Sequence, residues 1–224
     1  MSLSFWALTA TLAAYLLAAA LQRRFSLAVF QPILVAGLLV MALLVLGRIP
    51  HEAYSQAVEP LSRLLLPATV CLAIPVYKQL PLLRAHLLPS VAGIAAGTVT
   101  ALSSVALVAG LFGLDRMMLA TLLPKSVTSA FGMGLAAEYG GIPSLATAVI
   151  ILSGIVGNMT CVGVCKALGI TQPVAVGVCA GTAGHAIATT KALALGETQG
   201  AMAGVSMVLT GLLTTALMPL FLLW

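Results

Sequence analysis

Two polar segments interrupt a chain that is otherwise rich in hydrocarbon side chains. The first is LLPKSVTSAFGMG, residues 122 to 134, and the second is CAGTAGHAIATTKALALG, residues 179 to 196. Each combines a lysine, several hydroxyls and helix-breaking residues. An ionisable side chain at membrane depth costs about 3 kcal/mol on insertion scales, and irregular backbone is tolerated there only inside protein or around a watery cavity. Two such segments in one small chain indicate a solute pathway.

The composition identifies an integral membrane protein. Of the 224 residues, 61% are hydrophobic and 7% are charged, and the mean hydropathy is +1.16, whereas soluble domains carry about 25% charged residues. We expect one membrane domain over residues 1–224. The net charge of +5 comes from lysines and arginines at helix ends and in the two polar segments. That distribution fits the positive-inside rule and not a nucleic-acid surface.

Neither a metal site, a cofactor nor an enzyme is predicted. The four cysteines lie in apolar stretches and are interpreted as packing residues without a disulfide framework: Cys71, Cys161, Cys165 and Cys179. The chain contains no HExxH or GxSxG motif. A nucleophilic pair of Ser126 with His185 would lack the third group that orients such pairs.

Hydropathy predicts six long helices in an all-α, polytopic fold. They cover about residues 3–21, 26–47, 61–77, 87–113, 143–167 and 198–222. The first apolar run has no preceding positive charge and is followed by Arg23 and Arg24, the reverse of a signal peptide. We therefore expect a first transmembrane helix with its N-terminus outside. Pro67 and Pro75 predict kinks in the third helix.

The polar segments, about 117–139 and 173–196, are predicted to be broken or re-entrant helices. If each is a hairpin, an arm of about 10 residues reaches about 15 Å, half of a hydrocarbon core about 30 Å thick. This interpretation places Arg23, Arg24, Lys78, Arg84 and Lys166 inside, as the positive-inside rule requires. The alternative is that each segment crosses as a broken helix, which gives eight crossings.

A weak internal repeat supports the pairing of the two segments. A shift of 59 residues aligns Glu138 with Glu197, Gly141 with Gly200, and Ser126 with His185. On the hairpin interpretation one crossing separates the copies, so they would enter the membrane from opposite faces as an inverted repeat. Chance similarity between apolar segments is the competing explanation.

The candidate binding residues suit a small carboxylate better than a cation. Helix breaks at Pro124 and at Gly181 and Gly184 would present half-helix N-termini, which attract anions. The side chains predicted to contact the substrate are Lys125, Ser126, Thr128, Ser129, Thr182, His185, Thr189, Thr190 and Lys191. Asn158, Glu138 and Glu197 are predicted in supporting roles. His185 could carry protons, because its unperturbed pKa is near physiological pH.

Structural explanations stay open for the same residues. Lys125 and Lys191 could reach an interface, and His185 could be packed against a backbone carbonyl. The hydroxyls could bond only to the preceding helical turn, and Asn158 could contact a neighbouring helix.

The chain resembles the LrgB/CidB family of bacterial membrane proteins. The matching stretches are PKSVTSAFGMGLAAEYGGIPSLATAVIILSGIVG (Pro124 to Gly157), GTAGHAIATTKALALGETQGAMAGVSMVLTGLLT (Gly181 to Thr214) and LLLPATVCLAIPVYKQ (Leu64 to Gln79). The resemblance implies one LrgB-like domain in the bacterial inner membrane. It also implies an LrgA/CidA-type membrane protein as partner, and we expect a homo-oligomer.

Two functions follow from this resemblance. Members are described as holin-like or antiholin-like modulators of autolysis, named for effects on murein hydrolase activity. A related plant chloroplast protein is a glycolate and glycerate translocator, and bacterial members are linked to pyruvate. The residues favour the transporter: proton-coupled alternating access for small monocarboxylates, with helices 1 and 2 in the scaffold. The holin-like modulator is the alternative.

Overall fold

A computed structural model of the chain describes residues 2–25, 32–64, 67, 70–71, 73–78 and 80–223. All regular secondary structure in these residues is helical, which confirms the all-α prediction. The chain divides into two compact units, Met1–Cys71 and Leu72–Trp224. Among these residues, four helices are long and apolar enough to cross a membrane: Ser4–Phe25, Leu87–Leu111, Pro143–Ala167 and Glu197–Phe221.

In the described part of the first unit the helices are α1 (Ser2–Phe25), α2 (Pro32–Leu46), α3 (His51–Ala57) and α4 (Glu59–Arg63). Helix α1 packs against α2 and α3, and the hydroxyls of Thr11 and Tyr54 lie 2.7 Å apart across the α1–α3 contact. The first predicted helix is confirmed. The second is confirmed from Pro32 onward, while residues 26–31 lie outside the described residues.

The second unit contains the remaining elements. They are α5 (Ala73–Lys78), α6 (Leu80–Ala85), α7 (Leu87–Leu111), α8 (Arg116–Leu122), a 3-10 turn (Leu123–Ser126), α9 (Ser129–Glu138), α10 (Pro143–Ala167), α11 (Pro173–Leu195) and α12 (Glu197–Phe221). Helices α7, α10 and α12 have 25 residues each, or about 37 Å, and confirm predicted helices four to six. The third predicted helix, 61–77, is described only in part, by the end of α4 and by most of α5.

The first polar segment folds as a hairpin, which we call hairpin 1, made of α8, the 3-10 turn and α9. The chain after α9 returns to α8, because the backbone N–H of Ile142 donates to Oγ1 of Thr121 at 2.8 Å. Oγ1 of Thr121 in turn donates to the carbonyl of Met117 at 2.7 Å. Helix α10 therefore begins beside α8.

The second polar segment is a longer hairpin, hairpin 2, formed by α11 alone. Its first arm, 173–184, runs parallel to α12, with Gly177 against Gln199 and Gly181 against Ala203. The chain reverses at His185, where φ is 39° and ψ is −137°. The second arm, 186–195, then returns along α10 and brings Leu193 against Gly200, near the start of α12.

The hairpins enter from opposite ends of the unit. Helix α10 begins at the base of hairpin 1, whereas α12 begins at the base of hairpin 2 and ends near hairpin 1, where Met218 and Leu222 pack with Leu119 and Ala120. Each hairpin is followed by a 25-residue helix, and these two helices run in opposite directions. Both polar segments thus form hairpins, as the first of the two interpretations predicts, and the 59-residue shift aligns Ser126 of one tip with His185 of the other. The inverted repeat stays a prediction.

We predict that Thr121 closes hairpin 1 and that Thr121→Val lowers the free energy of unfolding by about 1–3 kcal/mol, because the N–H of Ile142 loses its acceptor. The control is Thr100→Val, since Thr100 is exposed and bonds only within its own helix, to the carbonyl of Ala96. Denaturant unfolding of both variants in detergent micelles measures the difference. Equal midpoints for the two variants would contradict this role of Thr121.

Candidate functional site

The tip of hairpin 1 places a lysine and a hydroxyl where the helix is interrupted. Pro124 has non-helical angles (φ −80°, ψ 21°) and Val127 is extended, since proline has no N–H with which to continue the helical ladder. Nζ of Lys125 donates to Oγ of Ser126 at 3.0 Å. Ser126 is buried, while Lys125 is partly exposed.

Immediately after this tip, α9 begins with its N-terminus inside the protein. Thr128 is the N-cap residue in an extended conformation, and among the described residues no side chain caps the helix. Thr128 and Ser129 are both partly exposed. The N-terminus of α9, whose dipole is equivalent to about half a positive charge, therefore begins three residues after Ser126, the residue that binds the ammonium group of Lys125.

The tip of hairpin 2 is a strained histidine. A positive φ is sterically costly for a residue with a Cβ, about 1–3 kcal/mol, and persists only where the surroundings hold it. His185 is 2% exposed, and its Nε2 lies 3.0 Å from the backbone carbonyl of Ile150. Since a carbonyl only accepts, Nε2 carries the proton and donates it. The packed alternative, a histidine bonded to a backbone carbonyl, is thereby confirmed.

Glycines of α10 provide the space for this tip. A Cβ added at Gly154 would lie 2.5 Å from Cε1 of His185, and one at Gly157 would lie 2.7 Å from Cα of Gly184. Gly154 is the twelfth of the 25 residues of α10, so the tip reaches the middle of a spanning helix. The second arm of α11 begins here and directs a second half-helix N-terminus into the interior.

The two tips meet around Ile150, which is fully buried. Its carbonyl accepts the bond from His185, and its Cδ1 packs against Gly132 in the first turn of α9. Val127 contacts the same glycine, and the 3-10 turn contacts α11 directly. Among the predicted residues, the structure thus brings Lys125, Ser126, Thr128, Ser129 and His185 into one region.

Lys191 and Asn158 form a separate contact. Nζ of Lys191 donates to the backbone carbonyl of Asn158 at 2.9 Å, and Asn158 lies eight residues beyond Ile150, about 12 Å along α10. The bond attaches the second arm of hairpin 2 to α10. Because this contact uses the backbone of Asn158, the contact of the asparagine side chain with a neighbouring helix stays a prediction.

The other predicted residues lie outside the tip region or bond locally. Oγ1 of Thr189 donates to the carbonyl of His185, and Oγ1 of Thr190 donates to that of Ile187, so these hydroxyls bond to the preceding turn. Thr182 is buried against Gly97 of α7. Glu138 ends α9 and Glu197 begins α12; both are exposed.

This arrangement suits an anion and offers little to a metal. Two half-helix N-termini, the Lys125 ammonium and the Ser126 hydroxyl are all positive or hydrogen-bond donating. No cluster of three or more His, Cys, Asp or Glu that could hold a metal occurs in the part of the chain that the structure describes. Cys161 and Cys165 are buried free thiols, and Cys161 packs among alanines, as predicted for packing residues.

A groove of about 620 Å³ lies elsewhere, between the C-terminal ends of α7 and α12. It is lined by Ser103, Ala106, Leu107, Gly110, Leu111, Leu220 and Phe221. This almost wholly apolar lining offers no positive group to a carboxylate and suits hydrocarbon chains.

Sequence reasoning missed Ile150, whose carbonyl and side chain connect the two tips. Nothing distinguishes this isoleucine from its apolar neighbours in the sequence. The nearby glycines were a usable signal, because Gly154 and Gly157 lie on one face of α10 and mark a close approach of another backbone.

We predict that His185→Gly is more stable than His185→Ala by about 1 kcal/mol. Both variants lose the bond to Ile150, but glycine adopts a positive φ without the steric cost that alanine has. Denaturant midpoints in the same detergent compare them. A more stable alanine variant would show that the backbone at residue 185 is not held in this conformation.

We also predict that Gly154→Ala destabilises the protein by about 1–3 kcal/mol, because its Cβ overlaps the imidazole of His185. Gly163→Ala is the matched control on the same helix, where no described atom lies within 4 Å of the added Cβ. There the greater helix propensity of alanine should leave stability unchanged or slightly raised. Thermal unfolding of the two variants measures the difference. Similar losses of stability in both would exclude a specific contact between Gly154 and His185.

Comparison with known proteins assigns a family. The family model described as the LrgB-like family matches residues 11–224, which confirms the resemblance inferred from the motifs. Relatives include the proteins named YxaC and YwbG of Bacillus subtilis (strain 168). YxaC is 34% identical over 94% of this chain and 91% of its own length, and YwbG is 32% identical over 95% and 94%.

A third relative carries a functional name. The antiholin-like protein LrgB of Bacillus mycoides (strain KBAB4) is 30% identical over 86% of this chain and 84% of its own length. No solved structure matches the chain.

Proposed function

This chain belongs to the LrgB-like family, and we propose that it transports small monocarboxylates across the membrane by way of the two hairpin tips. The observation that carries the proposal is the tip of hairpin 1, where Lys125 bonds to Ser126 and α9 begins three residues later. This tip contacts hairpin 2, which enters from the opposite end of the unit. A carboxylate placed there would accept bonds from N–H groups, from the lysine and from Ser126. The activity is transport, with no chemical conversion of the solute.

The substrate class follows from the charged group in this region. The ammonium group of Lys125 can pair with one carboxylate, while the helix N-termini add hydrogen-bond donors. Hydroxyls at Ser126, Thr128 and Ser129 would suit a hydroxy acid or keto acid such as glycolate, glycerate or pyruvate. His185 is a further part of the proposal as a proton carrier, which would couple transport to a proton gradient.

Alternating access would use the two hairpins in turn. Each reaches the interior from one end only, so the tip region can open toward one side while the other hairpin stays closed. The bond between Lys191 and Asn158 would hold hairpin 2 against α10 in the closed arrangement. A location in the bacterial inner membrane, an LrgA/CidA-type partner and a homo-oligomer belong to the same proposal.

Modulation of autolysis is the second candidate, and the names of the relatives favour it over transport. Several relatives are named antiholin-like protein LrgB. A function of this kind would depend on helix packing and oligomers and would need no selective binding of a carboxylate.

A substitution in the GxxxG pair of α7 does not separate the two candidates. Gly93 and Gly97 face Val178 and Thr182 of α11, so a variant such as Gly93→Leu would displace hairpin 2 as well as any packing face. The two candidate functions are distinguished instead by whether the protein admits carboxylates selectively.

We predict saturable uptake of labelled glycolate, glycerate or pyruvate by purified protein in sealed liposomes, with glycerol excluded. Lys125→Ala should reduce carboxylate uptake at subsaturating concentration by roughly tenfold or more, since a hydrogen bond to a charged group contributes about 1.5–3 kcal/mol. His185→Ala should also reduce it.

Lys166→Ala is the matched control, because Lys166 is an exposed lysine in the last turn of α10. It should retain the wild-type rate. Equal leakage of every solute, or uptake that is the same in Lys125→Ala and wild type, would reject the transport proposal and favour the modulator of autolysis.

A further inference from the structure

We propose that the side chain of Ile150 is the constriction between the two hairpin tips and sets which solutes can pass. The inference rests on the proposed function, and it assigns a selectivity-determining role to a residue that has no charge or polar group. Its basis is the position of Ile150, which contacts the tip region of each hairpin at once.

The two contacts use different parts of the residue. The carbonyl oxygen accepts the bond from Nε2 of His185 at 3.0 Å, which holds the tip of hairpin 2. The Cδ1 atom packs against Gly132, one turn after the tip of hairpin 1, and occupies the space that a Cβ at residue 132 would need. Substitution of the side chain therefore leaves the acceptor of His185 in place.

The surroundings make this side chain an apolar barrier between polar groups. Ile150 is 0% exposed and Val127 beside it is also fully buried, whereas Lys125 on one side is partly open. A small carboxylate that leaves Lys125 for the other end of the protein must displace the isoleucine side chain or pass it when the hairpins move. A neutral solute, which gains nothing from the lysine and the helix dipoles, is excluded by the same side chain.

A smaller side chain should therefore relax selectivity. Ile150→Ala removes most of the barrier next to Gly132, which has no side chain to replace it. The expected result in sealed liposomes is glycerol entry at least fivefold faster than in wild type, with the preference for carboxylate over glycerol reduced. The rate of glycerol entry through Ile150→Val should lie between those of wild type and Ile150→Ala, because this substitution removes one methyl group.

The matched control is Leu152→Ala on the same helix, since Leu152 is 56% exposed whereas Ile150 is fully buried. It should exclude glycerol as wild type does. Size-exclusion profiles of all variants in detergent identify misfolded protein. If Ile150→Ala fails to fold, Ile150→Val carries the test and should still admit glycerol faster than both wild type and Leu152→Ala.

The outcomes separate this inference from the proposed function. Wild-type carboxylate uptake combined with unchanged glycerol exclusion in folded Ile150 variants would overturn the constriction and leave transport intact. Absence of saturable uptake in wild type would overturn transport, while glycerol entry specific to the Ile150 variants would still support a constriction at this residue. Equal glycerol entry through Ile150→Ala and Leu152→Ala would overturn it.

Discussion

A chain that turns back inside the hydrocarbon region must satisfy the backbone polar groups of the turn with protein, because no water is present to do so. In this unit α10 provides these interactions for both hairpins. Its glycines allow the tip of hairpin 2 to approach at backbone distance, and the carbonyl of Ile150 receives the imidazole of His185. Hairpin 1 depends on the same helix, through Gly132 at its tip and through the bond from Ile142 to Thr121 at its base.

The sterically costly backbone at His185 is consistent with a functional role, since strain of this kind persists where the surroundings hold it. Glycine at this position would avoid the cost, yet glycine has no ring to reach Ile150. A residue with a side chain is therefore needed in a conformation that suits glycine. The strain and the hydrogen bond oppose each other, so the conformation at His185 depends on the packing of the tip against the glycines of α10.

Much of the architecture could be predicted from the sequence, because helix length and hydropathy follow directly from the thickness of the membrane. The three long helices of the second unit lie within a few residues of their predicted bounds. The hairpin was one of two interpretations of each polar segment, supported by arms about half as long as the membrane is thick. The shift of 59 residues aligned Ser126 with His185. The polar content of each segment, however, did not indicate which side chains share a location.

The separation of the two lysines illustrates that limit. Lys125 and Lys191 look equivalent in the sequence, each next to hydroxyls in a polar segment. In the structure Lys125 lies in the tip, whereas Lys191 is six residues past His185 and bonds to a backbone carbonyl lower on α10. The difference depends on how far each side chain is from the residue at which the helix breaks. The contacts of Ile150 with both hairpins were still harder to predict, because they depend on how hairpin 1, hairpin 2 and α10 pack together.

The opposite orientation of the two hairpins has a consequence for the direction of movement. Each hairpin contributes a half-helix whose positive end lies at the tip, and the two half-helices run toward opposite ends of the unit. Their dipoles therefore largely cancel along the line that joins these two ends. In the proposed transport, the backbone would therefore attract an anion to the centre without driving it toward either face. Net flux would follow the gradients of the solute and of any coupled proton, and asymmetry between the two directions would arise from side chains alone, with a lysine at one tip and a histidine at the other.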